Sequence, residues 1–443
     1  MWVSDAERAF ALAAGARIEV TAAASLAEPL AAALRSHGYN ASVVAVPSGK
    51  ADAVIITEGL TAGEAAARHW AALQGAKAAR RDGAVTVLLQ AASPTSGLDG
   101  LSRTLRKEWP ESTCVAWTLS GTEPAAIIHA LASGYGDGLL TEHQSLQHAE
   151  PGAPVFPAPA LQAHHPSVWL VTGGARGVTA SCAIELARQA GGTILLAGRS
   201  AETPWPAGLP EANDLKSLRG LLVARSRMTG ERVTPAEIDR TARNLLAGAE
   251  IRATLAAIRE AGAIAEYVPL DAGDAVAVAH TISDVQARHG RIGGWVHGAG
   301  VLADKLAMDK TEVELRRVFA PKVGGLENIL GALDPVQLSH VGLFSSAAAF
   351  FGNRGQSDYA MANALLASAG RNLARATPGA QVKVFHWGPW AGGMVDDTLA
   401  SHFEAQGIPL IPVDEGARIF ATELLGGNRD QVELIVGEAW ATA

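Results

Sequence analysis

Ser346, Tyr359 and Asn363 stand thirteen and then four residues apart, in Phe344-Ser345-Ser346 and in Gly355-Gln356-Ser357-Asp358-Tyr359-Ala360-Met361-Ala362-Asn363. A hydroxyl, a phenol and an amide at this spacing can hold a carbonyl oxygen and give it a proton. Such chemistry demands a strand and a helix. The apolar run Val341-Gly342-Leu343-Phe344 would bring Ser346 to the carboxyl end of a strand. Tyr359 falls near the start of an Ala-rich helix, with Asn363 one turn further along the same face. A plain Ser-rich turn before a helix would carry the same letters, so the surrounding chain has to decide.

Upstream, Val168-Trp169-Leu170-Val171 reads as a buried strand. It runs into Thr172-Gly173-Gly174-Ala175-Arg176-Gly177-Val178-Thr179 and an apolar helix to Ala190. In this order a glycine turn lets the backbone approach a phosphate, and the helix N-terminus faces its charge. The pattern is T-G-x-x-x-G and not G-x-G-x-x-G. Thr172, Gly173, Gly174, Arg176, Gly177 and Val178 are the contacts it predicts. The next strand, Thr193 to Ala197, ends in Gly198-Arg199-Ser200. An NAD site usually carries an acidic residue at this point for the ribose hydroxyls. Arg199, followed by Ser200, suits a 2′-phosphate instead, and Arg176 adds a second charge, which favours NADPH over NADH.

Further strands complete the pattern. Ala265 to Leu270 ends at Asp271-Ala272, a candidate adenine contact. Ile292 to Val296 ends in His297-Gly298-Ala299-Gly300, a small-residue turn beside the cofactor, with His297 read as packed core. Val382 to Phe385 leads into His386-Trp387-Gly388-Pro389-Trp390-Ala391-Gly392-Gly393-Met394. There Pro389 and Trp390 would cover the nicotinamide and a mobile lid would begin. The last strand is Val432 to Val436. Between about 201 and 250 a helical insertion interrupts the alternation. It comprises Asn213 to Ser226 and a second helix opened by the capping box Thr234-Pro235-Ala236-Glu237. Glu250 to Ala261 then resumes the fold as a separate helix.

The first 150 residues also alternate strands with helices and imply a parallel sheet. The strands are Arg17–Val20, Ser42–Val46, Ala53–Thr57, Val85–Gln90 and Cys114–Leu119; the helices are Leu26–His37, Ala62–Arg81, Leu98–Trp109 and Glu123–Ala132. The first turn, Thr21-Ala22-Ala23-Ala24-Ser25, has no glycine, so this unit is expected to be Rossmann-like in shape, without a dinucleotide and structural in role. Lys77, Arg80 and Arg81 read as a solvated face at a helix C-terminus. Pro151, Pro154, Pro157 and Pro159 mark an extended linker over 151–166, ending in His164 and His165, which read as surface loop. The division is therefore a truncated structural unit over 1–150, the linker, and a catalytic unit over 167–443. The fold class is α/β with two Rossmann-like units.

Composition narrows the function. The chain has 443 residues, 48% of them hydrophobic, with 47 Gly and a net charge of −8, which argues against nucleic acid as partner. No apolar run reaches the ~18 residues of a membrane span, and Met1-Trp2-Val3-Ser4-Asp5 lacks the features of a signal peptide. Cys114 and Cys182 have no metal-ligand spacing and read as buried thiols in a reducing, cytoplasmic compartment. No metal site is expected.

Residues 168–440 resemble the short-chain dehydrogenase/reductases. More closely, the whole chain resembles the β-ketoacyl reductase region of type I polyketide and polyunsaturated fatty-acid synthases. The resemblance rests on Gly97-Leu98-Asp99-Gly100-Leu101-Ser102-Arg103-Thr104-Leu105, His297-Gly298-Ala299-Gly300-Val301, Pro321-Lys322-Val323, the Ser346 to Asn363 stretch and Trp387-Gly388-Pro389-Trp390. The Gly173 to Ala180 loop, the insertion and Gly392-Gly393-Met394 lean towards the polyunsaturated fatty-acid enzymes. Ordinary short-chain dehydrogenases place Lys four residues after the Tyr. Asn363 stands there, as in the synthase reductases, where the Lys comes from the Pro-Lys-Val helix, a role that falls on Lys322.

The resemblance implies NADPH-dependent reduction of a β-ketoacyl chain on an acyl carrier protein, beside the other domains of a megasynthase. Ser346 and Tyr359 would bind the keto oxygen, Tyr359 would give the proton, and Asn363 would hold a relay water. Lys322 at ~4–5 Å would favour the phenolate by ~3–4 kcal/mol at an effective dielectric of ~20, roughly two to three pK units. Leu302-Ala303-Asp304 keeps the last Asp of a Leu-Asp-Asp motif carried by relatives that make D products but loses the first, and Phe351 stands where reductases of the opposite hand tend to have Trp. These imply a D (3R) hydroxyacyl product. Gly392 and Met394 belong with the same substrate end. The alternatives are a non-reducing domain of this fold, structural or epimerising, and a free-standing dehydrogenase of small alcohols. Asn363 and the cofactor-free first unit argue against the latter.

Overall fold

A computed structural model describes residues 2–4, 9–121, 123–141, 146–149, 165–393, 397–405 and 407–437. The proline-rich linker with His164, and Met394, lie outside the described residues. In the first unit the elements are β1 (Trp2–Ser4), β2 (Arg17–Thr21), α1 (Ala27–Ser36), β3 (Asn40–Val44), β4 (Ala53–Gly59) and α2 (Ala65–Ala79). Then come β5 (Val85–Ala91), α3 (Leu98–Glu108), β6 (Thr113–Leu119), α4 (Pro124–Ser133), β7 (Gly138–Leu140) and β8 (Leu146–Ala149). Six strands run parallel in the order β3-β2-β4-β5-β6-β7, and β8 and β1 extend the sheet antiparallel.

The second unit opens with β9 (Val168–Thr172), α5 (Gly177–Ala190), β10 (Thr193–Gly198), α6 (Leu215–Thr229), α7 (Pro235–Glu260), β11 (Ile264–Pro269) and α8 (Ala275–His289). It continues with β12 (Gly294–His297), α9 (Glu312–Phe319), a π-helical turn (Ala320–Gly324) and α10 (Gly325–Ala332). β13 (His340–Ser346), α11 (Ala347–Phe351), α12 (Ser357–Ala376), β14 (Gln381–Trp387), α13 (Asp397–Ala405), α14 (Val413–Gly426) and β15 (Glu433–Val436) complete it. Its seven strands are all parallel, in the order β11-β10-β9-β12-β13-β14-β15. The chain reverses direction between β9 and β12, and this switch opens a crevice at the carboxyl ends of those strands. In the first sheet the corresponding place is filled. Thr21 Oγ1 donates to Glu58 Oε2 at 2.7 Å and Thr57 Oγ1 to the Thr21 carbonyl at 2.8 Å. An anion there would meet a carboxylate.

Three local readings differ from the structure. α7 is one helix of 26 residues, not two, because nothing between 238 and 260 breaks it. Gly248 in its middle is where Thr203 packs: a Cβ would come within 2.4 Å of the Thr203 carbonyl oxygen. β3 begins at Asn40 and stops at Val44, leaving Val46 exposed beside Pro47, which has no N–H for a ladder. Of Lys77, Arg80 and Arg81, read as a solvated face, Arg80 and Arg81 are on the surface, whereas Lys77 is turned towards the second unit. Lys77 donates to the Lys310 carbonyl of the second unit at 2.9 Å, Arg81 pairs with Asp52, and Arg80 covers the Trp109 ring.

The units share a core. Leu98, Leu101 and Leu105 of α3 pack in one cluster with Met361, Ala362, Leu365 and Leu366 of α12. The contact is close because α3 carries glycine where the helices meet. A Cβ on Gly100 would lie 2.4 Å from the Ala360 carbonyl oxygen, and one on Gly97 would lie 2.5 Å from that of Met361. The motif Gly97 to Leu105 is thus a seat for the helix that carries Tyr359. Arg103 also donates to the Ala349 carbonyl at 2.8 Å. Glu108 accepts from the backbone N–H of Ala307 at 2.7 Å and of Gly355 at 2.8 Å.

Candidate active site

Ser346 ends β13 in extended conformation and caps α11, its Oγ accepting from Ala348 N at 3.2 Å. Accepting that bond leaves its own O–H able to donate. Tyr359 is the third residue of α12, and Asn363 follows one turn on, buried completely. Asn363 Nδ2 donates to the Tyr359 carbonyl at 2.8 Å, which leaves Oδ1 buried without a partner. Behind the helix, Ser345 Oγ donates to the Asn363 carbonyl at 3.0 Å. Ser345 also meets His386 Nδ1 at 3.1 Å, and His386 Nε2 lies 2.9 Å from Glu433.

Lys322 comes from the π-helical turn, a distortion that tends to occur at functional sites. Its side chain is buried and its Nζ donates to the Phe344 carbonyl at 2.9 Å, 5.5 Å from the centre of the Tyr359 ring. Gly300 makes room for it: a Cβ there would approach Lys322 Cε to 3.0 Å. The chain therefore brings Ser346, Tyr359, Lys322 and Asn363 together. Lys322 is not among the groups that move the Tyr359 phenol. Burial pushes the Tyr359 phenol up and the Asp304 charge adds to this, although Asn363 and Ser346 draw it down. Burial also drives Lys322 down to about 7, so near neutrality much of its charge is lost. The phenol accordingly stays protonated, as a proton donor must.

Beside this cluster a cavity of about 180 Å³ lies at the switch point. Of the sequence-predicted contacts it is lined by Thr172, Gly173, Arg176, Arg199, Ser200, Asp271, Ala272, Ala299 and Gly300. Gly173 and Gly177 have φ of 74° and 60°, in the left-handed region that favours glycine. Arg176 before α5 makes no side-chain cap, so the first N–H groups of that helix face the crevice uncapped. These features fit a pyrophosphate. Arg199 is exposed at the cavity rim, whereas Arg176 is held in an ion pair with Glu250.

Other predicted contacts sit elsewhere. Gly174 and Gly298 serve packing: a Cβ would strike Val171 at 2.3 Å or Thr179 at 2.5 Å. Gly177 and Val178 begin α5 and meet Gly393. Pro389 is buried, and Trp390 packs against Trp387 with ring centres 4.7 Å apart. Asp304 is exposed and accepts from Gln356 Nε2 at 3.0 Å, close enough to act on the Tyr359 phenol. Phe351 stacks edge-on with Phe350 at 5.1 Å, and Gly392 follows Trp390 with φ of 148°. Sequence reasoning missed Tyr267, whose hydroxyl donates to the Gly198 carbonyl at 2.9 Å and shapes the cavity wall. No spacing marks it, because β11 meets β10 only through the sheet. Pro321, also lining the cavity, was visible beside Lys322. His297 is fully buried, as read, and burial lowers it to about 4. Cys114 and Cys182 are both buried free thiols. Among the described residues no acidic, Cys or His cluster could hold a metal, and no helix is long and apolar enough to cross a membrane.

A seven-stranded doubly wound sheet, a glycine turn and a Ser/Tyr/Lys/Asn cluster define an oxidoreductase of the nicotinamide-dependent, short-chain dehydrogenase/reductase type. Residues 167–392 match the KR domain family, and the chain belongs to it, with the ketoreductase regions of polyketide and polyunsaturated fatty-acid synthases. It is 36% identical over 366 residues to one of the subunits of the polyunsaturated fatty acid synthase of Thraustochytrium sp., covering 77% of this chain and 13% of that protein. It is 32% identical over 202 residues to polyketide synthase PksN of Bacillus subtilis, covering 45% of this chain and 3% of that one. The chain thus spans a small fraction of those relatives. Among solved structures, A-type ketoreductases from a modular polyketide synthase share the fold at a TM-score of 0.74 and 19% identity, covering 98% of this chain and 91% of that one. An N-terminal ketoreductase from the macrolactin assembly line does so at 0.71 and 19%, covering 98% and 90%.

Proposed function

We propose that the chain reduces the β-keto group of an acyl thioester, carried on an acyl carrier protein, to the D-3-hydroxyacyl thioester. It does so with NADPH, as one domain of a larger synthase in the cytoplasm. The observation that carries this is the meeting of Ser346, Tyr359 and Lys322 beside the glycine-turn cavity. NADPH supplies the hydride to the β-carbon. The Ser346 O–H and the Tyr359 phenol hold the keto oxygen and stabilise the developing alkoxide. Tyr359 then transfers its proton to that oxygen. Asn363 Oδ1, with no protein partner, accepts from the water that relays a proton back towards the phenol. Lys322, close to neutral pKa, exchanges a proton at little cost. Arg199 takes the 2′-phosphate, and Asp304, exposed and near enough to act on the Tyr359 phenol, is in keeping with the D product. Residues 1–150 brace α12 and do no chemistry.

The test is NADPH consumption with a β-ketoacyl thioester, with Tyr359→Phe as control and chiral analysis of the product. Turnover that vanishes in the variant supports reductase and acid together. NADPH binding without turnover in the unaltered chain would point instead to the epimerising alternative, read by isotope washout at the α-carbon. A predominantly L product would overturn the stereochemical assignment.

A further inference from the structure

Lys310 and Asp358 form an ion pair of 2.9 Å in which both side chains are fully buried. Neither belongs to the Ser/Tyr/Lys/Asn cluster, yet Asp358 immediately precedes Tyr359. Lys310 Nζ directs its three donors at three segments: the Ala303 carbonyl, the Gly355 carbonyl at 3.4 Å and Asp358 Oδ1. Asp358 Oδ1 also accepts the Tyr359 backbone N–H at 2.9 Å, and Oδ2 is buried without a partner. Ala303 adjoins Asp304. Two further bonds zip the same segments together, Lys305 N to the Gly355 carbonyl at 2.8 Å and Gln356 Nε2 to Asp304.

A buried ion pair is a poor stabiliser, since desolvation consumes most of its attraction and an apolar pair of like volume would serve stability as well or better. What an apolar pair would not supply is direction. Three donors in fixed directions set where the Ala303 loop stands relative to the Gly355 turn and the start of α12 that follows it. The segments so joined are the one bearing Asp304 and the first turn of the helix bearing Tyr359.

We propose that Lys310 and Asp358 are positioning residues that fix the Asp304 segment against Tyr359, so that proton delivery and the hand of the product are set together. The proposal rests on the reductase reading above. Burial raises Asp358 to about 6 even against Lys310, which agrees with a pair held by the fold against its own solvation.

The test compares wild type with the double variant Lys310→Met/Asp358→Asn, which removes both charges at similar volume, and with Asp358→Asn alone. Each is measured for its thermal transition, NADPH affinity, kcat and KM on a β-ketoacyl thioester, and the ratio of 3-hydroxy epimers. The double variant is expected to fold and to bind NADPH within twofold of wild type. Its kcat should fall about tenfold or more, and the share of the minor epimer should rise about tenfold. A kcat and epimer ratio within twofold of wild type would overturn the proposal, as would a fall in kcat with the ratio unchanged. If the double variant does not fold, the same readings on Asp358→Asn decide. Failure of that single variant to fold would make the pair a folding element and overturn the positioning role. Wild type that turns over no β-ketoacyl thioester sinks the reductase reading itself, an outcome distinct from an active wild type matched by its variants.

Discussion

His297 Nε2 lies 2.8 Å from the backbone oxygen of Lys322, and its Nδ1 lies 2.8 Å from Thr172 Oγ1. One imidazole thus ties the strand that enters the glycine turn to the helix that delivers the site lysine. Held neutral by burial, it donates from Nε2 to the carbonyl and accepts at Nδ1 from the hydroxyl. His297→Leu removes both bonds, although Thr172 Oγ1 keeps the Val296 carbonyl at 3.2 Å and the Lys322 carbonyl keeps a helical N–H, so the cost is about 0.5–1.5 kcal/mol for each bond. Urea unfolding should show a loss of that order, and NADPH should bind several-fold more weakly because both cavity walls lose their tie.

Acid should destabilise the fold early. His69, His297 and His340 are all lowered to about 4 by burial. Below the unfolded value of ~6.5 the unfolded chain binds protons that the native state refuses, so stability is full above that pH and falls as pH drops towards 4. Each costs about 2 kcal/mol by pH 5. Asp358, raised to about 6 by burial, works in the opposite direction over the same window and recovers about 1 kcal/mol. Denaturant midpoints at pH 7 and pH 5 should differ by the equivalent of several kcal/mol, and His340→Phe should shrink the difference.

Lys322 should be costly to the fold that uses it. Its pKa near 7 means that below pH 7 the native state holds a charge in a desolvated place, and the penalty fades as pH rises towards the unfolded value. Lys322→Met should therefore raise unfolding free energy at pH 7 by about 1–3 kcal/mol after the lost bond to Phe344 is counted. The gain should dwindle by pH 9.5, and reductase turnover should be abolished. A variant less stable at pH 7 would contradict the argument.

Gly100→Ala alters no residue of the site, yet its Cβ would meet the Ala360 carbonyl at 2.4 Å. Backbone cannot yield as a side-chain tip can, so α3 must lift from α12. The expected cost is about 1–3 kcal/mol. Because Tyr359 rides on that helix, kcat should fall more than NADPH affinity, which stopped-flow binding and steady-state turnover would separate.

Arg199→Ala should cut the preference for NADPH over NADH by roughly 10- to 100-fold, the worth of ~1.5–3 kcal/mol for a charge-assisted bond. Arg176→Ala should matter less, since Glu250 already engages that guanidinium. Equal effects of the two substitutions on the kcat/KM ratio of the cofactors would count against Arg199 as the 2′-phosphate ligand.

Local chemistry was legible in the chain itself. Strands such as β9 and β13 announce themselves as apolar runs, the turn at 172–178 by its glycines, and α7 by a capping box that forms as written. Each depends on residues within a few positions of one another, where propensity and hydrogen bonding act without the rest of the molecule. Contacts between distant segments were not legible. That Gly100 faces Ala360, that Lys77 reaches Lys310, and that Arg176 is taken by Glu250 depend on how two sheets and their helices stack. Protonation also belongs to the tertiary structure. Proximity of Lys322 to Tyr359 was expected to favour the phenolate. Packing buries Lys322 and half-buries Tyr359, and the loss of solvation lowers the ammonium and raises the phenol.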